Sequence, residues 1–150
     1  MKFSSVDEIL DFAIKKEEEA AHMYTDLAGQ MKTAHMRQVF EDFAREEGRH
    51  KSKLLEIKSG KLLLPVAEKV MDLRIADYAT NVRPGPDLDY QQALILAMKE
   101  EKAAFKLYTD LAGTAGDESL RGMLLTLAQE EARHKLRFEI EYDEQFLSED

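Results

Sequence analysis

Two short strings in this chain place a carboxylate and an imidazole three residues apart: Glu47 and His50 within Glu46-Glu47-Gly48-Arg49-His50-Lys51, and Glu131 and His134 within Glu130-Glu131-Ala132-Arg133-His134-Lys135. On a helix, residues three apart share a face, so each string aims one carboxylate and one imidazole at the same point. Such a pair is a ligand pair for a divalent metal ion. A single Glu-x-x-His is common on helix surfaces; two copies with matched surroundings are a more specific signal.

The surroundings do match. The offset of 84 residues that carries Glu47 to Glu131 also carries Ala13–Gly29 onto Ala97–Gly113, with ten of 17 positions identical, including Glu17 with Glu101 and Tyr24-Thr-Asp-Leu-Ala-Gly29 with Tyr108-Thr-Asp-Leu-Ala-Gly113. A repeat of that length reads as a duplicated helical hairpin. In each half the first helix contributes one Glu and the second contributes Glu-x-x-His. Glu17, Glu47, His50, Glu101, Glu131 and His134 together form the ligand set of a di-iron or di-manganese carboxylate site in a four-helix bundle.

The elements that must position these residues can be read from apolar spacing. The first helix runs from an N-cap at Ser4 or Ser5 to about Gly29, with Val6, Leu10, Ala13, Glu17, Ala20, Ala21, Tyr24 and Ala28 on its inner stripe. Glu17 therefore interrupts an apolar row. A Glu at the edge of the core could reach solvent with its head, but the same interruption recurs at Glu101, and an unpaired buried charge costs several kcal/mol.

A turn at about 30–34 leads to a second helix from about Thr33 to Ser59, ending at Gly60, with Met36, Val39, Phe40, Phe43, Glu47, His50, Leu54 and Ile57 inward. Glu17 and Glu47 are equally far from Lys32, and Glu101 and Glu131 are equally far from Gly116, so each hairpin brings its two glutamates to one height. Ala20, Ala21, Ala44 and Gly48 leave room beside them. The third helix starts near Asp87 or Asp89 and turns Ala93, Leu94, Ala97, Met98, Glu101, Ala104, Phe105, Tyr108, Leu111 and Ala112 inward. Asp117 is expected to cap the fourth, whose stripe is Leu120, Met123, Leu124, Leu127, Glu131, His134, Phe138 and Tyr142.

Residues 61–88 join the hairpins. They hold Pro65 and the breaker Arg83-Pro-Gly-Pro-Asp87, and they are too apolar for a free linker. A crossover packed along the bundle is expected, with Val70, Leu73, Ile75 and Tyr78 as contacts. The whole reading is one all-α domain over residues 1–150, an antiparallel four-helix bundle whose repeat halves, about 1–60 and 89–147, are joined by this crossover.

Composition agrees with that reading. The chain has 150 residues, 44% of them apolar, enough for one sizeable core, and few aromatics, prolines or glycines. A net charge of −9 argues against nucleic acid or an anionic membrane as a partner. No run of 18 apolar residues occurs and the first residues lack a signal-peptide pattern, so a cytoplasmic protein is expected. There is no cysteine, which removes disulfides, thiolate zinc, iron–sulfur clusters and a rubredoxin-type module from this chain.

Two tyrosines accompany the ligand set. Tyr24 and Tyr108 lie seven residues after Glu17 and Glu101 on the same face; they could be plain core aromatics, but a buried hydroxyl needs an acceptor, and the nearest are ligand carboxylates. His22 and His35 face Lys106 and Ser119 across the offset and are read as surface histidines, as are Glu18 and Glu19 as surface carboxylates.

At Ala13-Ile-x-x-Glu17, Met23-Tyr24 and Leu127-Ala-x-Glu-Glu131-x-x-His134 the chain resembles the ferritin-like superfamily, and most closely rubrerythrin-related proteins without a rubredoxin domain. The resemblance covers essentially the whole chain. It implies a ferritin-like bundle with a centre of two Fe ions (Mn or Zn as substitutes), bridged by Glu47 and Glu131, in a homodimer or larger homo-oligomer. It implies reduction of H2O2 or O2, with electrons from an external donor such as a separate rubredoxin, or ferroxidation.

Two positions depart from the relatives. Rubrerythrins carry a further metal-binding Glu one turn after the third-helix ligand, where this chain has Ala104; bacterioferritins follow the second-helix Glu with a haem-ligating Met, where it has Gly48, so no haem is expected. The leading expectation is a di-iron oxidoreductase reducing peroxide or oxygen, an oxidative-stress role. The alternatives are a ferroxidase or iron-handling protein and a metal-free helical interaction module.

Overall fold

The computed structural model describes residues 2–3, 6–61, 71–72, 88–115 and 118–147. Four long helices make up nearly all of it: α1 (Val6–Gln30), α2 (Ala34–Glu56), α3 (Tyr90–Thr114) and α4 (Glu118–Tyr142). None of the described helices contains a proline, and Ala, Leu, Glu and Lys fill their interiors. α1 packs along α2 and α3 along α4, while α1 also touches α3. The architecture is an all-α four-helix bundle of two hairpins.

The helix ends are held by local chemistry. Thr33 caps α2 by accepting from the Met36 N–H at 3.2 Å. Asp89 caps α3 in a reciprocal box, accepting from the Gln92 N–H at 2.8 Å while the Gln92 side chain accepts from the Asp89 N–H at 3.1 Å. Each hairpin turn is clamped alike: Arg37 donates to the Met31 carbonyl at 3.2 Å, and Arg121, its counterpart 84 residues on, donates to the Ala115 carbonyl at 3.1 Å. The repeat thus extends to the turns.

The second helix does not stop at Gly60 as expected. α2 widens into a π-helical turn over Ile57–Lys61, which carries the buried Ile57 inward and runs through the glycine. A similar turn, Asp143–Leu147, extends α4. The expected caps at Ser4 or Ser5 and Asp117, and the crossover contacts Val70, Leu73, Ile75 and Tyr78, lie outside the described residues. Of the crossover, Met71–Asp72 (β2) is described, paired antiparallel with Lys2–Phe3 (β1), Lys2 opposite Asp72 and Phe3 opposite Met71. That short ladder beside the start of α1 has no signal in the helical periodicity.

Two apolar clusters fill the bundle. One, at the end where α1 begins, is built on Leu10, Ala13, Leu54, Leu111, Leu124 and Leu127. The other, toward the end of α1, is aromatic: Tyr24, Phe40, Phe43 and Phe138 stack on one another. Phe105 was expected inward and is instead 37% exposed, at the rim of α3. The six Glu and His residues form a polar layer between the clusters.

Phe138 is fully buried among three other rings, so Phe138→Ala is expected to cost about 3–5 kcal/mol. Phe105→Ala, at the rim, is expected to cost less than about 1 kcal/mol. Chemical denaturation of both variants checks the pair of values; equal losses would mean that the second cluster is not the core.

Candidate metal centre

Each helix brings its part of the polar layer: Glu17 from α1, Glu47 and His50 from α2, Glu101 from α3, Glu131 and His134 from α4. All six are buried, none more than 4% exposed. The i, i+3 spacing puts each Glu and His of a string side by side, and the equal distances to the turns bring Glu17 level with Glu47 and Glu101 level with Glu131.

The two imidazoles lie parallel, their centroids 5.6 Å apart. The Nδ1 of His50 faces Glu131 at 2.7 Å, Glu17 at 3.8 Å and Glu47 at 3.9 Å. That of His134 faces Glu47 at 3.1 Å, Glu101 at 3.6 Å and Glu131 at 3.7 Å. Two groups of four donors result, each with its ligand atoms within 4.8 Å of one another: Glu17, Glu47, His50 and Glu131, and Glu47, Glu101, Glu131 and His134. Glu47 and Glu131 belong to both groups, which is the position of a bridging carboxylate.

The other ring nitrogens face outward carboxylates from the opposite hairpin. His50 Nε2 lies 2.6 Å from Glu130, and His134 Nε2 lies 2.9 Å from Glu46. With a cation on Nδ1, Nε2 would keep its proton and donate it to the glutamate, which fixes the ring orientation. The sequence reading missed Glu46 and Glu130. Their signal was present: each repeat has a doubled glutamate, and the first of each pair is also preserved across the 84-residue offset.

The tyrosines cross between hairpins too. Tyr24 donates to Glu101 at 2.6 Å and Tyr108 donates to Glu17. Burial, followed by these carboxylates, pushes both phenols well above their usual range, so they stay neutral donors. His22 is exposed beside Asp26, and His35 pairs with Glu141 at 2.8 Å, far from the cluster.

Electrostatics show what the layer lacks. Burial, then repulsion from Glu131, Glu101 and Glu17, pushes Glu47 well above the usual carboxylate range, and burial, Glu101 and Glu17 do the same to Glu131 against the pull of His50. Burial also raises Glu17, but bonds from Glu47, His50 and Tyr108 outweigh it and its net shift is downward. Burial opposes the charge on His50, yet Glu131 and Glu17 hold its proton up to about 11. Even so, Glu17 Oε2, Glu101 Oε2, both Glu131 oxygens and His50 Nδ1 are buried without a hydrogen-bond partner, the close His50–Glu131 approach lacking hydrogen-bond alignment. Divalent cations would satisfy all of these atoms at once.

Space adjoins the carboxylates on the α1–α3 side. A cavity of about 20 Å³ is lined by the four glutamates with Ala20, Ala104 and others, room for about one water-sized molecule. Gly48 is not needed for that room: a methyl group there would meet nothing within 4 Å. On the α2–α4 side an open depression of about 340 Å³ borders His50, Arg49, Lys53 and Glu130.

A helical bundle with two Glu-x-x-His strings and a glutamate from each remaining helix, sharing two central carboxylates, defines the ferritin-like di-iron-carboxylate class. The Rubrerythrin family model matches residues 8–142, and the chain belongs to that family. Among solved structures, a candidate ferritin-like diiron-carboxylate protein from Thermotoga maritima is similar at 20% identity and TM-score 0.76, covering 93% of this chain and 95% of that one. An uncharacterized conserved protein from Magnetospirillum magnetotacticum MS-1 is similar at 24% identity and TM-score 0.72, with coverage of 93% and 95%. A hypothetical protein from Pyrococcus furiosus is similar at 24% and 0.69, with 93% and 89%. No curated protein matches.

Because burial and like charges favour the protonated forms of Glu47 and Glu131, and the neighbouring carboxylates favour that of His50, a cation competes with protons for these groups, the more so as pH falls. Uptake of Fe(II) or Mn(II) by metal-free protein in weak buffer is therefore expected to acidify the solution, with affinity falling as the pH is lowered below 7. An indicator-dye titration measures it; uptake without proton release would mean that the carboxylates were already ionised.

Proposed function

We propose that the six residues hold two iron ions and that the protein is an oxidoreductase reducing H2O2 or O2. The observation that carries this reading is the pair of overlapping four-donor groups sharing Glu47 and Glu131, buried and otherwise unsatisfied. Iron, when bound, supplies one electron per ion to the oxidant and takes it back from an external donor.

The chain's own groups do the rest. Glu17 and Glu101 would each hold one ion, their carboxylates oriented by Tyr108 and Tyr24. Glu47 and Glu131 balance the charge of both. His50 and His134 would hold one ion each and are kept in register by Glu130 and Glu46, which accept from their Nε2–H groups at the partly exposed edge of the layer. The small cavity beside Ala20 and Ala104 favours an oxidant of two heavy atoms over an organic hydroperoxide. With no cysteine in the chain, electrons come from a separate molecule, for which a rubredoxin is the natural chemistry.

A second reading, ferroxidation with transfer of iron onward, draws support from the open depression, where Glu46, Glu56 and Glu130 border His50 and give a cation a route from solvent. The two separate by stoichiometry: a reductase turns over peroxide many times per iron when a donor is supplied, whereas a ferroxidase consumes Fe(II) in proportion to oxidant. A metal-free interaction module does not explain the unsatisfied carboxylates. Among the described residues no helix is long and apolar enough to cross a membrane.

Elemental analysis of protein purified without added metal is expected to find two equivalents of iron, and Glu47→Ala and Glu131→Ala are each expected to lose both. Loss of only one equivalent in both variants would refute the shared bridges. Glu130→Gln and Glu46→Gln keep the ligands but weaken their hold on the histidines. They are expected to lower iron affinity about 10–100-fold, read by competition with a chelator; unchanged affinity would make these glutamates surface groups only.

A further inference from the structure

The 84-residue repeat is an internal control on the core. At the aromatic end of the bundle Phe40, Phe43 and Phe138 fill the interior; at the other end their counterparts are Leu124, Leu127 and Leu54, which are also buried. Leucine thus satisfies the packing at these positions, and the rings at one end answer to something more. They form a continuous path away from the metal layer. His134 meets Phe43 at 5.0 Å between centroids, Phe43 stacks on Phe138 at 4.0 Å, Phe138 on Phe40 at 6.0 Å, and Phe40 meets Tyr90 edge to face at 5.9 Å. Tyr24, which donates to Glu101, joins the same path by stacking on Phe40 at 6.2 Å. The path ends on Tyr90, whose hydroxyl donates to Glu141 at 2.7 Å, and the same carboxylate oxygen lies 2.8 Å from His35 Nε2. At the counterparts of Tyr90, Glu141 and His35 the repeat has Val6, Ile57 and Ser119. Tyr90 also lines an open cavity of about 360 Å³ with Met31, Met36, Leu88 and Phe146, room for a small aromatic molecule.

We propose that Tyr90 is a redox site that gives an electron to the metal layer along this ring path and recovers it from a small phenolic reductant bound in the cavity. The inference rests on the proposed reduction of peroxide. Reducing H2O2 to two waters takes two electrons, with two protons from solvent. Where only one electron is available from iron, the peroxide bond would break to hydroxide and a hydroxyl radical beside the ligands, unless the chain supplies the second. Tyr90 supplies it by way of Tyr24 and the phenylalanine rings, passes its phenolic proton to Glu141 and becomes a neutral radical. Burial, then Glu141, holds that phenol above its usual range, so Tyr90 keeps its proton until it is oxidised, with an acceptor already in place. A hydroquinone, the simplest two-electron phenol, returns the electron from the cavity while Glu141 returns the proton and the hydroquinone's own proton goes to solvent. Two such rounds convert it into the quinone.

The chain loaded with one Fe(II) is mixed under argon with one equivalent of H2O2 and a nitroso spin trap, and the trapped residue is located by proteolysis and mass spectrometry. The adduct is expected on Tyr90 and absent from Tyr90→Phe. In Phe40→Leu, which places the other hairpin's residue in the path, it is expected to fall at least about fivefold. Iron content and the extent of Fe(II) oxidation are expected to stay unchanged in both variants. Added hydroquinone is expected to suppress the adduct and to appear as quinone. In metal-free protein hydroquinone is expected to shift the methyl NMR signals of Met31 and Met36, and Phe146→Ala to weaken that binding. Oxidised iron with no adduct on Tyr90, or hydroquinone that leaves the Met31 and Met36 signals in place, would overturn the inference alone. Fe(II) that survives peroxide would overturn the peroxide reading, and this inference with it.

Discussion

Four carboxylates drawn into one buried layer are the constraint on which the rest of this structure depends. Removing a charge from water costs several kcal/mol even after relaxation, and like charges at this range add to the cost. Glu17, Glu47, Glu101 and Glu131 lie in an otherwise apolar bundle, between a leucine-rich cluster and an aromatic one. Without cations, burial and like charges favour the protonated forms of Glu47 and Glu131, and the neighbouring carboxylates favour that of His50. That leaves five buried side-chain atoms without hydrogen bonds. An arrangement so poorly satisfied by protons, and so readily satisfied by two cations, favours metal binding over stability as the reason for the layer.

The polar links around the layer cross from one hairpin to the other. Tyr24 of α1 serves Glu101 of α3, and Tyr108 of α3 serves Glu17 of α1; Glu46 of α2 holds His134 of α4, and Glu130 of α4 holds His50 of α2. A hairpin alone would leave each of these side chains without its partner. The duplication therefore does more than double a metal-binding string: it makes the halves complete each other, and the pairing of hairpins and the shape of the site become one condition. Helix ends are secured locally by Thr33, Asp89, Arg37 and Arg121, so the crossing links are free to set the geometry at mid-height.

Much of this was legible in the sequence, because helical periodicity and a duplicated string are local signals that survive without knowledge of contacts. Glu17 in an apolar row, the equal spacing about Lys32 and Gly116, and the tyrosines seven residues on all led to side chains that the fold brings together. What was not legible depended on the other hairpin. Nothing along α2 says that Glu46 will meet His134 rather than water, since it stands one position off the inward stripe. Phe105 has inward spacing but falls at the rim of α3, where none of the described helices covers it fully. The π-helical turn through Gly60 and the pairing of Lys2–Phe3 with Met71–Asp72 answer to packing at the bundle's end, which periodicity does not register.

The repeat also shows where equivalence stops. Sequence contrasts at Gly48 against Ala132 and His22 against Lys106 are the obvious differences near the ligands, yet Gly48 has open space around it and His22 points to solvent, so neither distinguishes the two positions. The contrast that reaches the ligands is Lys53 and Leu127 against Arg137 and Phe43. The Phe43 and His134 rings meet edge to face at 5.0 Å, and Arg137 lies over the Phe43 ring at 4.5 Å. Beside His50 the counterpart of Arg137 is Lys53, which borders an open depression instead. One imidazole thus sits against an aromatic ring and the other, equally buried, at the floor of an open depression. Identical donors with different neighbours need not hold a cation equally, so symmetry in the ligands does not by itself make the two positions equal in energy.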